Sequence, residues 1–256
     1  MRYTVYVLVV IVLLYIILFK NKEYARIDAG RVYKVKEAQQ GVAIDKRYFY
    51  AISNNSIGKY ERKSGKGVLH KKLPFKHLNG GKIINGDLVV VNNPAGQPEG
   101  NALIWLDPLT LEIIDIMKLP YLQGSLTWVD WAWDKWWICD AYYKKKAKDT
   151  TIYCFDQNWN LEGYWKLPKK VVESIEPYSL SGGAWFGEYL CVTGHDKPEM
   201  YILQMPANRI HAKLLRTVQV CFDGQGFSFE RGKGSVYVWG IRREESVVVR
   251  CSVDLE

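Results

Sequence analysis

Short apolar stretches, each reversed by polar turn residues, recur along the chain after residue 31. Five segments open with a small or polar residue and continue as an apolar stretch, a turn and a second apolar stretch; they begin at Gln40, Gly80, Gly124, Ser181 and Gln225. Each pair of stretches predicts a β-hairpin. The segments start roughly 40 to 60 residues apart, which is within or just beyond the repeat length of propeller blades.

Each hairpin is followed by further strand-like stretches. In the second and third units, Trp105-Leu-Asp-Pro and Cys154-Phe-Asp-Gln-Asn predict a third strand that ends in a turn, and strands beginning at Ile113 and Leu161 come next. Four strands per unit are typical of a propeller blade. We therefore predict an all-β, five-bladed propeller over residues 31–256. A sandwich of eight to ten strands and a six-bladed ring with the long third unit miscounted are the alternatives.

The last unit reaches the end of the sequence after only three strands. The alternating stretch Arg31-Val-Tyr-Lys-Val-Lys precedes the first unit and has no other place in the repeat. We expect it to be the outer strand of the last blade, because this would close the ring and remove the open strand edges that promote aggregation. Residues Pro168 to Leu180, with a short helical candidate at Val171, are expected to form a connecting loop over one face.

The N-terminal pattern differs, since residues 3–19 are uncharged and mostly apolar. A helix of this length extends roughly 25 Å, near the lower limit for spanning a bilayer. We predict an uncleaved signal anchor over residues 1–22 and a linker over 23–30, giving a single-pass membrane protein with its C-terminal domain extracytoplasmic. A cleaved signal peptide and a buried strand are the alternatives. Arg2 and the lysines at 20 and 22 balance each other, so the flanking charges do not fix the orientation.

Composition narrows the class of protein. Apolar residues make up 48% of the 256 residues and charged residues 24%, which excludes intrinsic disorder and a many-span membrane protein. The net charge of +8 is concentrated in runs of lysine and arginine, such as residues 59–76 and 144–148. Such runs attract anionic membrane surfaces or simply keep a protein soluble. They mostly lack the interleaved aromatic residues of single-strand binding proteins, so no nucleic-acid partner is predicted.

Five cysteines occur, all in apolar strand-like stretches and none in a C-x-x-C pair. We expect buried free thiols in place of a zinc site or a disulfide framework. The alternative is a bond between Cys139 and Cys154, which could lie on neighbouring strands.

Candidate functional residues lie where the strands of each hairpin begin and end. Antiparallel pairing places the start of one strand beside the end of its partner, so two sets of polar residues are expected at one rim of the central channel. Those at strand starts are Gln40, His77, Asn79, Gln123, Ser125, Ser181 and Gln225, and those at strand ends are Asn54, Asn55, Asn92, Asn93, Asp140, Tyr142, His195, Asp196 and Glu199.

From these sets we assign catalytic roles to His77, His195 and Asp196. Histidines serve as general bases or metal ligands, and acids such as Asp140, Asp196 and Glu199 bind a divalent cation through oxygen. The ligand-binding candidates are Gln40, Asn79, Ser125, Asp140, Ser181, Glu199 and Gln225. The alternative interpretation is that the amides and hydroxyls only satisfy buried backbone groups where strands crowd together.

Several of these segments resemble bacterial five-bladed propeller proteins that are described as cycloisomerase-like or lactonase-like. The segments are Gln40-Gly-Val-Ala-Ile-Asp, His77-Leu-Asn-Gly-Gly, Gly124-Ser-Leu-Thr-Trp-Val-Asp, Ser181-Gly-Gly-Ala-Trp, Thr193-Gly-His-Asp and Gln225-Gly-Phe-Ser-Phe. The resemblance spans most of residues 38–254 and implies a small polar ligand of the sugar-acid or lactone class. It also implies hydrolase, lyase or isomerase chemistry, with a divalent cation over the channel. Only Thr193-Gly-His-Asp and His77-Leu-Asn carry over as site residues.

The sequence thus predicts a membrane-anchored propeller that binds a small polar ligand at its channel mouth. The alternative function is a non-catalytic interaction scaffold that docks a protein or an anionic membrane surface.

Overall fold

Five four-stranded antiparallel sheets make up the part of the chain that the computed structural model describes, residues 27–94, 98–207, 210–232 and 234–255. We number them as blades 1 to 5. Blade 1 contains β2 (Gly41–Ile44), β3 (Tyr48–Ile52), β4 (Ser56–Glu61) and β5 (Gly67–Lys72). Blade 2 contains β6 (Leu78–Ile84), β7 (Asp87–Asn92), β8 (Ala102–Leu106) and β9 (Ile113–Lys118). Blade 3 contains β10 (Ser125–Ala132), β11 (Lys135–Ala141), β12 (Thr151–Phe155) and β13 (Leu161–Lys166).

The last two blades complete the five-bladed propeller. Blade 4 contains β14 (Gly182–Phe186), β15 (Tyr189–Thr193), β16 (Glu199–Gln204) and β17 (Lys213–Gln219). Blade 5 contains β18 (Ser228–Arg231), β19 (Val236–Arg242), β20 (Val247–Val253) and β1 (Arg31–Lys34). Strand β1 pairs antiparallel with β20, with Arg31 opposite Arg250 and Lys34 opposite Val247.

The core lies between neighbouring blades. In β7, Leu88 and Val90 pack with residues of blade 1, while Val89 and Val91 pack with residues of blade 3. Because both faces of this strand are buried, its sequence is a continuous apolar run without the alternation of a half-exposed strand. This explains why the second apolar stretch of each unit is the clearest signal in the sequence.

Glycines let the inner strands meet around the channel axis. A Cβ atom on Gly41 would lie 3.0 Å from the Cα of Gly226, and one on Gly226 would lie 2.9 Å from the Cα of Gly80. The Val42 N–H donates to the Gly226 carbonyl at 3.2 Å, which joins blades 1 and 5 through their backbones. Any larger residue at these positions would push the inner strands apart. The recurring glycine at the start of each unit therefore narrows the channel.

Two sequence predictions need correction. The segment after Pro168 is not only a loop, since it forms a helix, α1 (Lys169–Ile175), whose Val171, Val172 and Ile175 are buried between blades 3 and 4. Two short 3-10 segments cover residues 98–100 and 144–149.

The second correction concerns the cysteines. Cys221 and Cys251 form a disulfide, with Cα atoms 6.1 Å apart. Cys139 and Cys154 are free, because the register places them opposite Ile152 and Trp137 and not opposite each other.

The predicted signal anchor, residues 3–19, lies outside the described residues. Among the helices that the structure describes, none has the length and apolar character needed to cross a bilayer.

Candidate functional site

A cavity of about 690 Å³ opens at one end of the channel, and we call it the mouth. Every blade contributes to it: Gln40, Asn79, Ser125 and Ser181 come from the strand starts of blades 1 to 4, and Arg243 comes from the β19–β20 turn of blade 5. The structure thus brings together most of the two predicted sets. The residues that line the mouth and were expected at the rim are Gln40, His77, Asn79, Asn93, Gln123, Ser125, Tyr142, Ser181 and His195.

Seven residues of the two sets lie outside this lining, and four of them are among the ten residues with assigned catalytic or ligand-binding roles. Asp140 is buried behind it, where its Oδ1 accepts the Gly124 N–H at 2.8 Å. Burial raises the pKa of this carboxyl, and the hydrogen bonds from Gly124, Gln123 and Tyr142 oppose the change. Gln225 is also buried, and its side-chain amide donates to the His195 carbonyl at 2.9 Å. Asp140 and Gln225 therefore position parts of the mouth without facing a ligand in it.

The other two acids lie further from the mouth. Asp196 is half exposed and lines a separate cavity of about 100 Å³. Glu199 begins the third strand of blade 4, and its Oε2 accepts hydrogen bonds from Tyr201 at 2.9 Å and Ser174 at 3.3 Å. Glu199 does not reach the channel rim, where strand-end residues were expected, because the loop before β16 carries the chain away from the channel before the strand begins.

The sequence reasoning missed Arg243. This residue follows β19, and its backbone N–H donates to Asp223 Oδ2 at 3.2 Å, which holds the turn. Its Nη1 lies 3.0 Å from Nε2 of His195. Arg243 follows the end of the second strand of blade 5, the position that the predicted strand-end residues occupy in the other blades. The candidates from the last unit include a strand-start residue, Gln225, but no strand-end residue.

The hydrogen-bond partners of the His195 ring determine which of its two nitrogens carries the proton. A guanidinium can only donate, so Nε2 accepts from Arg243. Nδ1 then carries the proton and donates to Oδ1 of Asp196. The ring also stacks on Tyr178, with centroids 4.2 Å apart. His195 is therefore a neutral, fixed side chain whose ring orients Arg243 towards the cavity.

His77 is the second histidine of the mouth. Its pKa is lowered, first by burial, then by the positive charge of Arg243, and last by the charge that His195 carries when that ring is protonated. In the part of the chain that the structure describes, the His77 ring makes no hydrogen bond. A neutral ring with free nitrogens in a cavity is able to accept a proton from a bound molecule.

The mouth is electropositive. Arg243 and Lys144 are the charged side chains of its lining, and no aspartate or glutamate belongs to that lining among the residues described. No group of three or more histidine, cysteine, aspartate or glutamate side chains placed to hold a metal ion occurs in the described ranges. The predicted divalent-cation site at Asp140, Asp196 and Glu199 is not assembled, because these three carboxylates bond to different partners.

Two further charged groups, which the sequence reasoning also missed, face the channel below the mouth. Lys82 Nζ donates to the Phe227 carbonyl at 2.9 Å, and Asp130 Oδ2 accepts the Trp185 N–H at 2.7 Å. Burial lowers the pKa of Lys82 and raises that of Asp130, and each charge opposes the effect on the other. Lys82 links β6 of blade 2 to the segment before β18 of blade 5, and Asp130 links the inner strands of the neighbouring blades 3 and 4. Because both contacts are to backbone groups, they give the two side chains a structural role.

Comparisons with known proteins agree on the fold. No protein-family model and no curated protein sequence matches the chain. Among solved structures, a glutaminyl cyclase from Myxococcus xanthus is similar over 89% of this chain and 97% of its own, with a TM-score of 0.60 and 10% identity. A protein of unknown function from Bacteroides caccae is similar over 83% of this chain and 80% of its own, with a TM-score of 0.48 and 13% identity. At 10% identity the similarity to the Myxococcus xanthus protein shows the propeller fold alone, in agreement with the five sheets described above, and the cycloisomerase or lactonase resemblance is not confirmed.

Proposed function

We propose that the mouth binds a small polar ligand of the sugar-acid or lactone class, and that Arg243 pairs with the carboxylate of the acid form. The observation that carries this proposal is the pairing of Arg243 with a neutral histidine nitrogen instead of a carboxylate. Such a guanidinium keeps its full charge for a ligand, and its flat fork matches a carboxylate in a bidentate manner.

The rest of the lining suits the polar part of such a ligand. Gln40, Ser125 and Ser181 supply amide and hydroxyl groups, and Tyr178 supplies an aromatic edge. A cavity of about 690 Å³ is within the usual size range of small-molecule sites.

His77 extends the proposal to catalysis. In a lactone hydrolysis, the neutral His77 ring accepts a proton from water as that water attacks the carbonyl carbon. The imidazolium then donates this proton to the endocyclic oxygen of the lactone, which leaves as an alcohol as its bond to the carbonyl carbon breaks. The new carboxyl group releases its proton to solvent and lies as a carboxylate near Arg243. The Myxococcus xanthus neighbour is named as an enzyme, which agrees with a catalytic use of this fold but shows only the fold itself.

The test is a calorimetric titration of the detergent-solubilised full chain with gluconate, with glucono-lactone and with uncharged glucose. We expect gluconate to bind, glucose to bind at least tenfold more weakly, and Arg243→Gln to lose at least tenfold in gluconate affinity. Arg216→Gln is the matched control, because it removes the same charge from β17, away from the mouth. Catalysis predicts acid release from the lactone that His77→Gln slows. If neither ligand binds, the interaction scaffold becomes the better function.

We also propose that residues 3–19 anchor the protein in a membrane, with the propeller extracytoplasmic. The disulfide between Cys221 and Cys251 supports this location, since such bonds persist in oxidising compartments. Alkylation of the denatured protein taken from cells should modify three thiols without reductant and five with it. Five modified thiols without reductant would contradict the location.

We propose finally that β1 closes the ring. Its pairing with β20 supports this, because β20 would otherwise be an open edge. A fragment of residues 27–256 should therefore melt higher than one of residues 36–256, and equal melting temperatures would contradict the closure.

A further inference from the structure

A second cavity, of about 600 Å³, lies between blades 5 and 1, and we call it the basal groove. It is at the end of the propeller opposite the mouth, because the β2–β3 and β4–β5 turns that line it follow the ends of β2 and β4 that point away from Gln40. Its lining includes six cationic side chains: Arg31, Lys46, Arg47, Arg62, Lys63 and Arg250.

The floor of the groove is rigid. Oε2 of Glu230 accepts hydrogen bonds from Arg62 Nη2 at 2.5 Å, from Trp239 Nε1 at 2.7 Å and from Arg250 Nε at 2.8 Å. The Arg62 guanidinium also donates to the Asp45 carbonyl at 2.6 Å and lies over the Trp239 ring. These contacts fix two guanidinium groups across the joint between the blades.

The walls carry charge that the protein does not neutralise. Against the six cations stand two carboxylates, Glu61 and Glu230, which leaves a net charge of +4. Lys46 and Lys63 are exposed, and neither forms an ion pair or hydrogen bond with any residue that the structure describes. Among the residues that the structure describes, Arg31 donates only to the Arg62 carbonyl and the Tyr33 hydroxyl, both uncharged. A concave site with fixed arginines and free cations is suited to a phosphate group.

The course of the chain indicates the source of that phosphate. Strand β1 begins at Arg31, in the groove, and Ile27 and Ala29 pack against the adjoining side of blade 5. The chain thus reaches the propeller at its basal end, and the uncharged apolar run of residues 3–19 precedes this point in the sequence.

We propose that the basal groove binds the phosphate of an anionic phospholipid headgroup. The lipid source of the phosphate rests on the membrane anchor proposed above, because a chain held in a bilayer through residues 3–19 would present this end of the propeller to the membrane and the mouth to solvent. The groove and the mouth share no lining residue, so this proposal stands apart from the ligand proposed for the mouth.

The experiment uses the full chain in a neutral detergent. It is titrated with dihexanoylphosphatidylglycerol, with the zwitterionic dihexanoylphosphatidylcholine and with inorganic phosphate. We expect the anionic lipid to bind at least tenfold more tightly than the zwitterionic one, with an affinity that falls as salt is raised. The triple variant Lys46→Gln, Arg47→Gln, Lys63→Gln should lose at least tenfold in that affinity.

A matched control removes the same charge elsewhere. Lys145, Lys146 and Lys148 are exposed, lie in the 3-10 segment of blade 3 and line neither cavity, so their triple glutamine variant should change lipid affinity less than twofold. Equal losses of lipid affinity in the two triple variants would show that binding depends on the overall charge of the protein and not on the groove. This result would overturn the proposed site. If inorganic phosphate binds as tightly as the anionic lipid, the proposal that the bound phosphate belongs to a lipid headgroup is overturned.

Discussion

The mouth and the basal groove are both cationic cavities at opposite ends of one propeller, but they treat their arginines differently. In the groove, Glu230 bonds to two guanidinium groups and fixes them. In the mouth, Arg243 has a neutral histidine nitrogen as its side-chain partner. Arg62 and Arg250 therefore stabilise the joint between blades 5 and 1, whereas Arg243 pairs with no carboxylate in the described part of the chain. The two ends differ in whether a carboxylate of the protein compensates the charge of the arginine.

The largest expected effect tests the structural side of this difference. Glu230→Gln removes the shared carboxylate and leaves Arg62 and Arg250 side by side without compensation. We expect a loss of about 3 kcal/mol in the free energy of unfolding at pH 7, measured by urea denaturation. Glu112→Gln breaks an exposed pair with Lys71 and is the control, with an expected change below about 1 kcal/mol. Equal stability of the Glu230 variant and the wild type would remove the distinction between the two ends.

A related effect appears in acid. Burial acts to raise the pKa of Glu230, but the hydrogen bonds from Arg250, Trp239 and Arg62 and the charge of Arg62 together outweigh it and lower the pKa from 4.5 to about 2. Because the folded protein binds this proton less readily than the unfolded chain, the stabilisation is complete above about pH 4.5 and disappears as the pH falls towards 2. Urea denaturation at pH 7, 4 and 2.5 should show the difference between wild type and Glu230→Gln shrinking with each step. A difference that stays constant over this range would show that Glu230 is not held as a carboxylate.

The smallest effect is expected at the mouth. Arg243→Gln should change the free energy of unfolding by less than about 1 kcal/mol, because the side chain is partly exposed and its loss leaves no charge unpaired. It should raise the pKa of His77, which the Arg243 charge lowers. Titration of the imidazole signals by nuclear magnetic resonance measures this shift. Arg216→Gln should leave the His77 titration unchanged, and an equal shift in that control would deny the electrostatic link.

The repeat in the sequence predicted the fold well because propeller blades follow local rules. Buried middle strands give apolar runs such as Leu88 to Val91, and the glycines beside the channel recur where the inner strands meet. The expectation that residues at the starts of the inner strands lie at one rim of the channel also holds for Gln40, Ser125 and Ser181, which line the mouth. These features depend on pairing within one hairpin, which the order of residues along the chain largely determines.

The rest depended on contacts between distant segments. Whether Asp196 and Glu199 face the channel is decided by the path of the β15–β16 loop, which the sequence pattern does not encode. The partnership of His195 with Arg243 joins residues 48 positions apart, in blades 4 and 5. The Cys221–Cys251 bond likewise joins β20 to the loop before β18, and counting cysteines gave no indication of which two would meet.

The pairing of β1 with β20 also determines how the molecule bears mechanical load. A pull along the axis of β1 would shear the hydrogen bonds between its four residues and β20 all at once, whereas a pull at right angles to the strand would open them one after another. The direction in which tension reaches Arg31 therefore decides how much force this short β-ladder withstands.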